Sequence, residues 1–281
     1  MPELPEVEIV KIALEESLSE RCVEKLVFNR PNLRFALPVE LPSLIEGQCI
    51  KSVSRRGKYI LVFGQSGAGF VLHLGMSGVI RIEKTLEDRS AQKHDHVEMI
   101  LDDDQRIVFN DPRRFGFLDM VEEKSWHAYG AFSSMGPEPL GNGFNGRMLF
   151  ERLQSRKGPI KTVLLDQSIV AGLGNIYVCE ALYCAGISPL RPANQISESE
   201  GEVLTHSIIN ILQKAIRAGG STLKDYRHAD GKLGYFQHDF AVYGRTGEAC
   251  PECNCDRMKT GCVKKIVQSG RSTFFCEERQ I

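Results

Sequence analysis

The sequence predicts an α+β protein that consists of an antiparallel β-domain, a helical domain and a small cysteine-bearing appendage, in that order along 281 residues. Short apolar runs bounded by turn residues fill the chain from Cys22 to about Glu123, which is typical of strands. Apolar residues at helical spacing follow from residue 147. Between the two regions, Ser133–Gly146 (SSMGPEPLGNGFNG) concentrates glycine and proline, as domain boundaries do.

A first helix is predicted from Pro5 to Glu20, because Val7, Val10, Leu14 and Leu18 recur at helical spacing. Proline suits the first helical turn, and glutamates there complement the positive end of the helix. The helix does not account for Pro2 and Glu3, which precede it. Chain ends are usually frayed and without function, so these two residues taken alone indicate no site.

The strand region is interrupted by turn signals at Ser66–Gly67 and Asp102–Asp104, so we expect an antiparallel sandwich or barrel. In the helical region, Ser197 or Ser199 is predicted to cap the last helix, and Gly219–Gly220 to end it. The predicted domains are therefore residues 1–132, a linker at 133–146, a helical domain at 147–240 and a hairpin-like appendage at 241–281.

Composition excludes some classes of protein. Hydrophobic residues make up 42% and charged residues 25% of the chain, which is ordinary for a globular protein. No apolar run approaches the roughly 18 residues of a membrane span, and no basic-then-apolar leader is present, so a cytoplasmic location is expected. The net charge of −1 means that nucleic-acid binding would depend on local basic patches.

The nine cysteines predict a metal site rather than disulfides, because five of them crowd between Cys250 and Cys276. Cys250 and Cys253 form a Cys-x2-Cys pair that can present two thiolates to Zn²⁺. No matching second pair follows, since Arg279 stands where Cys276-x2-Cys would end. The alternative is a hairpin without metal, held by packing. The other four cysteines are expected to be buried thiols in apolar surroundings: Cys22, Cys49, Cys179 and Cys184.

Basic residues accompany glycine in four segments: SRRGKY (54–59), DPRRFG (111–116), SRKGPIK (155–161) and QSGRSTFF (268–275). Each alone is typical of a solvated turn, but together they predict a face that binds phosphates. The glycines of AGLGNIY (171–177) precede a helix start, where backbone N–H groups can hold a phosphate. Met76 in HLGMSG and Phe115 in PRRFG either fill the core or act as wedges that enter a base stack.

Eight ordered blocks make the chain resemble the bacterial formamidopyrimidine-DNA glycosylases, which remove oxidised purines. These blocks are MPELPEVE, HLGMSG, KHDHV, DPRRFG, GPEPL, GLGNIY, STLKD and VYGRTGE, and the resemblance runs from residue 1 to about 276. The related endonuclease VIII group usually has glycine where Leu4 stands and lacks PRRFG, so the resemblance is to the purine-directed branch. It implies a catalytic β-sandwich, a helix–two-turn–helix DNA-binding domain and a zinc-finger-like hairpin. It also implies a monomer in the bacterial cytoplasm or nucleoid that binds damaged double-stranded DNA.

The resemblance further implies which residues act. After removal of Met1, the amine of Pro2 attacks C1′ of the damaged nucleotide and forms a Schiff base, and Glu3 transfers protons at the ribose. Lys58 assists the β-elimination, and Arg271 grips phosphate and takes part in the δ-elimination. The implied DNA contacts are His94, Arg113, Arg156, Asn175, Met76 and Phe115, and the implied lesion pocket is Glu6, Ser221 and Thr222. The cysteine tail departs from the two Cys-x2-Cys pairs that are usual in the family. Our hypothesis is that Cys250, Cys253 and Cys276 bind zinc and that Cys255 or Cys262 supplies the fourth ligand.

Two other functions compete with this prediction. One is a glycosylase directed at oxidised pyrimidines, like endonuclease VIII. The other is a zinc-containing protein that binds lesions without catalysis. Borohydride trapping separates the enzymes from the binder, because only a Schiff base is reduced to a stable link with DNA.

Overall fold

The computed structural model describes the chain in several stretches and divides it into two compact units. The first unit is Met1–Ser133 with Ala218–Tyr235, and the second is Ser134–Arg217 with Phe236–Ile281. Ala218–Tyr235, which the sequence analysis placed with the helical domain, clusters with the first unit. The residues described are 2–83, 92–221, 234–251, 253–256, 258 and 262–281.

The first unit is an antiparallel β-sandwich preceded by a helix, α1, so the predicted fold class is confirmed here. Helix α1 covers Leu4–Leu18. Among the described residues, each sheet has four strands. One sheet has the order β1 (Val23–Phe28), β6 (Asp95–Leu101), β7 (Arg106–Asn110), β5 (Val79–Glu83), and the other has the order β2 (Ile50–Arg56), β3 (Tyr59–Gly64), β4 (Ala68–His73), β8 (Phe117–Glu122).

One apolar core holds this unit together. Both sheets and the inner face of α1 contribute to it, because strand side chains alternate between the two faces of a sheet while helical ones recur every three to four residues. Its members include Val7, Val10, Leu14 and Leu18 of α1, Ile60, Val62, Phe70 and Leu72 of one sheet, and Val97, Met99, Ile107 and Phe109 of the other. The packing fixes the start of α1 against the sandwich.

Helix α2 (Leu41–Ile45) is a difference from the sequence prediction, which read this region as strands. Its sequence, LPSLI, is too short for a helical period to show, but Pro42 suits a first turn and Leu41 and Ile45 are buried. A further one-turn helix, α3, covers Gly130–Ser133.

The prediction of a buried free thiol is wrong for three of the four cysteines outside the cluster. Cys22 and Cys49 are joined by a disulfide, because they face each other across an antiparallel bridge at the entry to β1 and β2. Their separation of 27 positions in the sequence concealed this contact. Cys184 is exposed rather than buried, whereas Cys179 is buried as predicted.

The second unit is helical and ends in a hairpin, as predicted. Ser197 caps the last helix: its N–H donates to Glu200 Oε2 at 2.8 Å, and Glu200 N–H donates to Ser197 Oγ at 3.3 Å. Gly219 and Gly220, at φ +77° and +74°, follow the end of that helix. The elements are α4 (Gly146–Gln154), α5 (Ile160–Leu164), α6 (Asn175–Ala185), α7 (Glu198–Arg217), β9 (Val263–Gln268) and β10 (Arg271–Cys276). None of the helices in the described stretches has the length and apolar character needed to cross a bilayer.

Candidate functional site

The start of α1 is buried, although chain ends are usually exposed. Pro2, Glu3 and Glu6 all lie inside the first unit. Glu3 is the N-cap of α1 and forms a capping box with Glu6, in which Glu3 N–H donates to Glu6 Oε2 at 2.9 Å. The capping box holds Pro2 and Glu3 in one conformation against the sandwich. Pro2 and Glu3 are therefore not frayed.

Glu6 also connects the start of α1 to a distant part of the sequence. Its Oε1 accepts the N–H of Ser221 at 2.8 Å and the Oγ–H of Ser221 at 2.9 Å. Gly220, at φ +74°, passes so close that a Cβ there would lie 3.2 Å from Glu6 Oε1. The structure thus brings Glu6 and Ser221 of the predicted pocket together beside Glu3. Thr222 lies outside the described residues.

Lys58 lies in the turn between β2 and β3, next to Gly57 at φ +58°. Arg55 fastens this turn to α1: its Nε donates to Glu8 Oε2 at 2.5 Å, and its Nη1 donates to the Gly57 carbonyl at 2.9 Å. Because Glu8 is in the second turn of α1, this contact ties the Lys58 turn to the helix that Glu3 caps. This role of Arg55 was not predicted from the sequence.

His73, at the end of β4, was also missed. Burial lowers its pKa to about 4, and the positive charges of Lys58 and Arg34 add to the effect. The ring is therefore neutral at physiological pH, and its Nδ1 accepts the N–H of Gly75 at 3.1 Å. It stacks on Phe117 with ring centroids 5.4 Å apart. His73 thus anchors the turn that carries Met76.

Met76, Arg113 and Phe115 lie on the surface of the first unit. Met76 is 37% exposed and Phe115 is 43% exposed, so neither side chain fills the core. The Arg113 guanidinium lies 4.9 Å from the centre of the Phe115 ring, in a cation–π contact. His94 precedes β6 with φ +76°, and its carbonyl accepts the N–H of Asp111 at 3.1 Å. The loop that carries Arg113 and Phe115 is thus hydrogen-bonded to His94 through Asp111.

In the second unit, Asn175 begins α6 and binds the terminal hairpin. Its Nδ2 donates to the Ser272 carbonyl at 2.8 Å, and the Lys161 Nζ reaches the same carbonyl at 3.5 Å. The Asn175 Oδ1 is buried and has no hydrogen-bond partner among the described residues. Arg271 precedes Ser272 and is exposed at the hairpin tip. Asn175 and Lys161 therefore hold the strand that presents Arg271. The remaining predicted contact, Arg156, is half exposed, and its Nη1 lies 3.8 Å from Asp166 Oδ2.

Glu180 is a buried carboxylate in the apolar helix α6, and the sequence analysis overlooked it. It accepts three backbone N–H groups, from Ala241 at 2.8 Å, Val242 at 3.0 Å and Tyr243 at 2.7 Å. Burial raises the pKa of Glu180, and the three hydrogen bonds oppose that rise. The ring of Tyr243 lies 4.9 Å from that of Phe274 in β10, so Glu180 helps to place the hairpin.

Four cysteines meet at the base of the hairpin. The Sγ atoms of Cys250, Cys253, Cys255 and Cys276 all lie within 4.8 Å of one another. Cys250 and Cys255 are 3.3 Å apart and Cys253 and Cys276 are 3.8 Å apart, close to the edge of about 3.8 Å that Zn–S bonds of about 2.3 Å give in a tetrahedron. These four thiols therefore fit one metal ion.

The fourth member of the cluster is Cys255, one of the two alternatives that the sequence left open. The Cys262 Sγ instead approaches the Cys255 carbonyl at 3.8 Å. Arg279, which stands where a second Cys-x2-Cys pair would end, has its guanidinium 4.7 Å from the centre of the Tyr183 ring, and its Nε donates to the Tyr183 carbonyl at 3.3 Å. Its side chain thus packs on α6.

Comparison with known proteins decides the family. Residues 1–118 match the formamidopyrimidine-DNA glycosylase N-terminal domain, and residues 135–227 match the formamidopyrimidine-DNA glycosylase H2TH domain. The chain belongs to the formamidopyrimidine-DNA glycosylase family. The formamidopyrimidine-DNA glycosylase of Rhodospirillum rubrum is 46% identical over 280 residues, with both chains covered completely. That of Allorhizobium ampelinum is 47% identical over 300 aligned positions, again with complete coverage.

Solved structures of formamidopyrimidine-DNA glycosylases have the same fold. The Thermus thermophilus MutM (Fpg) protein superimposes with a TM-score of 0.86 at 37% identity, covering 99% of this chain and 98% of that one. The Lactococcus lactis Fpg in complex with DNA containing an abasic site gives a TM-score of 0.89 at 36% identity, with 99% of each chain covered. The helices of the second unit therefore belong to the H2TH domain of this family, as the resemblance implied, and the hairpin follows that domain.

Proposed function

We propose that this formamidopyrimidine-DNA glycosylase family member is a base-excision repair enzyme that removes oxidised purines from double-stranded DNA and cleaves the strand at the resulting abasic site. Its relatives carry the glycosylase name, and solved members hold DNA with Fapy-dG or with a carbocyclic 8-oxoguanine analogue. The observation that carries the proposal is the buried, capped pair Pro2–Glu3, joined through Glu6 to Ser221. We further propose that the enzyme acts in the bacterial cytoplasm, where it meets the nucleoid.

The chemistry begins at the chain terminus. Once Met1 is removed, Pro2 presents a secondary amine, and a terminal amine has a pKa near 8, so a useful fraction is uncharged at neutral pH. The nitrogen lone pair forms a bond to C1′, and the bond from C1′ to the base breaks, with its electron pair leaving on the base. The base takes up a proton to replace the one that the Pro2 nitrogen loses, and this loss frees the nitrogen lone pair for the next step. Opening of the sugar then breaks the bond from C1′ to O4′ and yields an iminium ion, while Glu3 supplies the proton to O4′.

Strand cleavage follows from the iminium ion, which makes the C2′ proton acidic. Removal of that proton and departure of the 3′-phosphate constitute the β-elimination, which Lys58 assists. Departure of the 5′-phosphate in a second elimination is the δ step, and the exposed Arg271 at the hairpin tip suits charge-assisted binding of that phosphate. Water then hydrolyses the remaining sugar from Pro2 and restores the amine.

The damaged nucleotide has to leave the stack before this chemistry, at a cost of a few kcal/mol. Met76, Arg113 and Phe115 are suited to fill the space that the extruded nucleotide leaves in the base stack. Met76 and Phe115 are exposed apolar side chains, and Arg113 stacks on Phe115. Glu6 and Ser221, with the predicted Thr222, would line the pocket for the extruded base. His94, Arg156 and Asn175 would bind phosphates.

We propose that the four-cysteine cluster holds one structural zinc ion. Zinc bound there would contribute folding free energy by joining the Cys250–Cys255 loop to the end of β10. The hairpin that presents Arg271 would thus be held at its base by the metal. Near its tip it is held by the hydrogen bonds from Asn175 and Lys161 to the Ser272 carbonyl.

Cysteine substitutions distinguish the fourth ligand. Purified protein should contain about one zinc per chain, Cys262→Ser should retain it, and Cys255→Ser should lose at least about 10-fold in zinc affinity, because a thiolate ligand is removed. Zinc content and competition with a chromophoric chelator measure both. Less than about 0.1 zinc per chain in the unmodified protein would exclude the metal site. Loss of zinc in Cys262→Ser but not in Cys255→Ser would assign the fourth ligand to Cys262.

The substrate is tested by single-turnover excision from matched duplexes. We expect 8-oxoguanine opposite cytosine to be released at least about 10-fold faster than oxidised thymine opposite adenine, because a pocket shaped for one base discriminates by a few kcal/mol. The reverse order would indicate the pyrimidine-directed alternative. Binding to both duplexes with no excision and no borohydride trapping would indicate a lesion-binding protein without catalysis.

A further inference from the structure

We propose that Asp111 is a positioning residue that joins the turn carrying Met76 and the loop carrying Arg113 and Phe115 into one rigid unit. The inference rests on the proposed function, in which these three side chains fill the space left by the extruded base. Asp111 itself would not contact DNA.

The carboxylate of Asp111 is fully buried (0% exposed) and connects the two segments directly. Its Oδ1 accepts the Oγ–H of Ser77 at 2.5 Å, next to Met76. Its Oδ2 accepts the N–H of Gly116 at 2.8 Å, next to Phe115. The N–H of Arg113 is shared between Asp111 Oδ1 at 3.3 Å and Ser77 Oγ at 3.2 Å. One side chain therefore fixes a residue beside each of the two apolar side chains.

The backbone of Asp111 is fixed as well. Its N–H donates to the His94 carbonyl at 3.1 Å, and its carbonyl lies 2.9 Å from the Nε2 of the buried His96. The backbone that carries the carboxylate is thus fixed by hydrogen bonds. The carboxylate in turn fixes the backbone positions of both segments. His94 is one of the predicted phosphate contacts, so this backbone hydrogen bond connects that contact to the segments that carry Met76 and Phe115.

The two segments also meet without an intervening side chain. A Cβ on Gly75 would lie 2.3 Å from the Gly116 nitrogen and 2.4 Å from the Phe115 carbonyl carbon, so the position requires glycine. On the other side of Met76, the Gly78 N–H donates to the Leu74 carbonyl at 2.9 Å and closes the turn. His73 accepts the N–H of Gly75, and Asp111 accepts the Oγ–H of Ser77. Both chain neighbours of Met76 are therefore held by hydrogen bonds.

A purely structural role explains this arrangement poorly. A buried carboxylate is costly unless hydrogen-bonded, and an apolar residue of similar size often gives equal or greater stability. All the side-chain contacts of Asp111 named above go to residues of the two surface segments, whose exposed Met76 and Phe115 would otherwise gain by folding onto the protein. The Asp111 carboxylate accepts hydrogen bonds from Ser77, Arg113 and Gly116, and these bonds keep the Met76 and Phe115 side chains exposed.

The test compares two substrates in Asp111→Asn. Asparagine keeps the shape, but its amide N–H₂ faces either the Gly116 N–H or the Arg113 N–H, so one hydrogen bond is replaced by a clash of donors. Single-turnover excision of 8-oxoguanine from duplex DNA should fall by about 10- to 100-fold, as expected when gap-filling groups are misplaced. Borohydride trapping on a single-stranded oligonucleotide with an abasic site should stay within about threefold, because no base has to leave a stack.

The control is Asp102→Asn, an exposed carboxylate in the β6–β7 turn, which should leave both reactions unchanged. Ser77→Ala removes one of the bonds and should show a smaller loss with the same selectivity. If Asp111→Asn does not fold, Ser77→Ala decides by the same ratio. Equal losses on both substrates, or no loss on the duplex, would overturn the role of Asp111. Failure of the unmodified enzyme to trap on abasic DNA would instead refute the proposed function.

Discussion

A form of the protein with one alanine inserted before Pro2 should excise 8-oxoguanine at least about 10³-fold more slowly than the mature protein, the order expected when a covalent nucleophile is removed. The Pro2 nitrogen becomes an amide, whose lone pair is delocalised and cannot attack C1′. The new terminal amine stands about 3.8 Å further along the chain, outside the geometry set by the capping box. Single-turnover excision and borohydride trapping measure the loss, and duplex binding should change by no more than about threefold.

Pro2→Gly is the matched control, since it keeps a free amine at the same position. Trapping should fall sharply, by about 10- to 100-fold, because a flexible primary amine replaces a ring nitrogen of fixed geometry. It should not vanish, because glycine can still form an imine. If the alanine insertion traps DNA as well as the mature protein does, the terminal amine is not the nucleophile.

Glu3→Gln should lower the rate of base excision by about 10²- to 10⁴-fold, the usual contribution of a positioned acid or base. Glutamine still offers a carbonyl oxygen for the capping box, so α1 and the melting temperature should be preserved. Trapping on DNA that already contains an abasic site should fall by less than about 10-fold, because the base has already departed. Single-turnover kinetics on the two substrates separate these effects.

Glu16→Gln is the control for this substitution, because Glu16 is an exposed carboxylate on the same helix. Its excision rate should match that of the unmodified protein. A Glu3→Gln variant with an unchanged excision rate would remove Glu3 from the catalytic step. A variant with a strongly lowered melting temperature would show that the cap, rather than proton transfer, is its main role.

The elements of the fold that obey local rules could be predicted from the sequence. Helix α1, the helices of the second unit and the Ser197 cap follow from spacing and capping residues, both of which act over a few positions. Helix α2 and the Cys22–Cys49 disulfide could not. The first is shorter than a helical period, and the second depends on a pairing between strands that are distant in the sequence.

The candidate site divides in the same way. Pro2 and Glu3 stand in a block that resembles a family. Lys58 in SRRGKY and Arg271 in QSGRSTFF match single positions of the same family, so the sequence predicts all four residue by residue. His73, Asp111 and Glu180 were missed as functional candidates because they act on backbone groups, and those contacts exist only in the folded chain. A single acidic residue in an apolar helix, as Glu180 is in NIYVCEALYCAG, was the available signal.

The cysteine cluster lies between these cases. Local spacing predicted Cys250 and Cys253, but it gave no second pair, so the choice between Cys255 and Cys262 beside Cys276 stayed open. The choice of Cys255 follows from the path of the loop after Cys253, which no spacing rule specifies.

The attachment point of the trapped DNA is the most direct test of whether the Pro2 nitrogen is the nucleophile. Mature protein is mixed with an 8-oxoguanine duplex and borohydride, digested with a protease, and the peptide that carries the sugar remnant is identified by mass spectrometry. We expect the sugar remnant to be attached to the N-terminal peptide, at the nitrogen of Pro2. A remnant on Lys58, or on any other lysine, would contradict it.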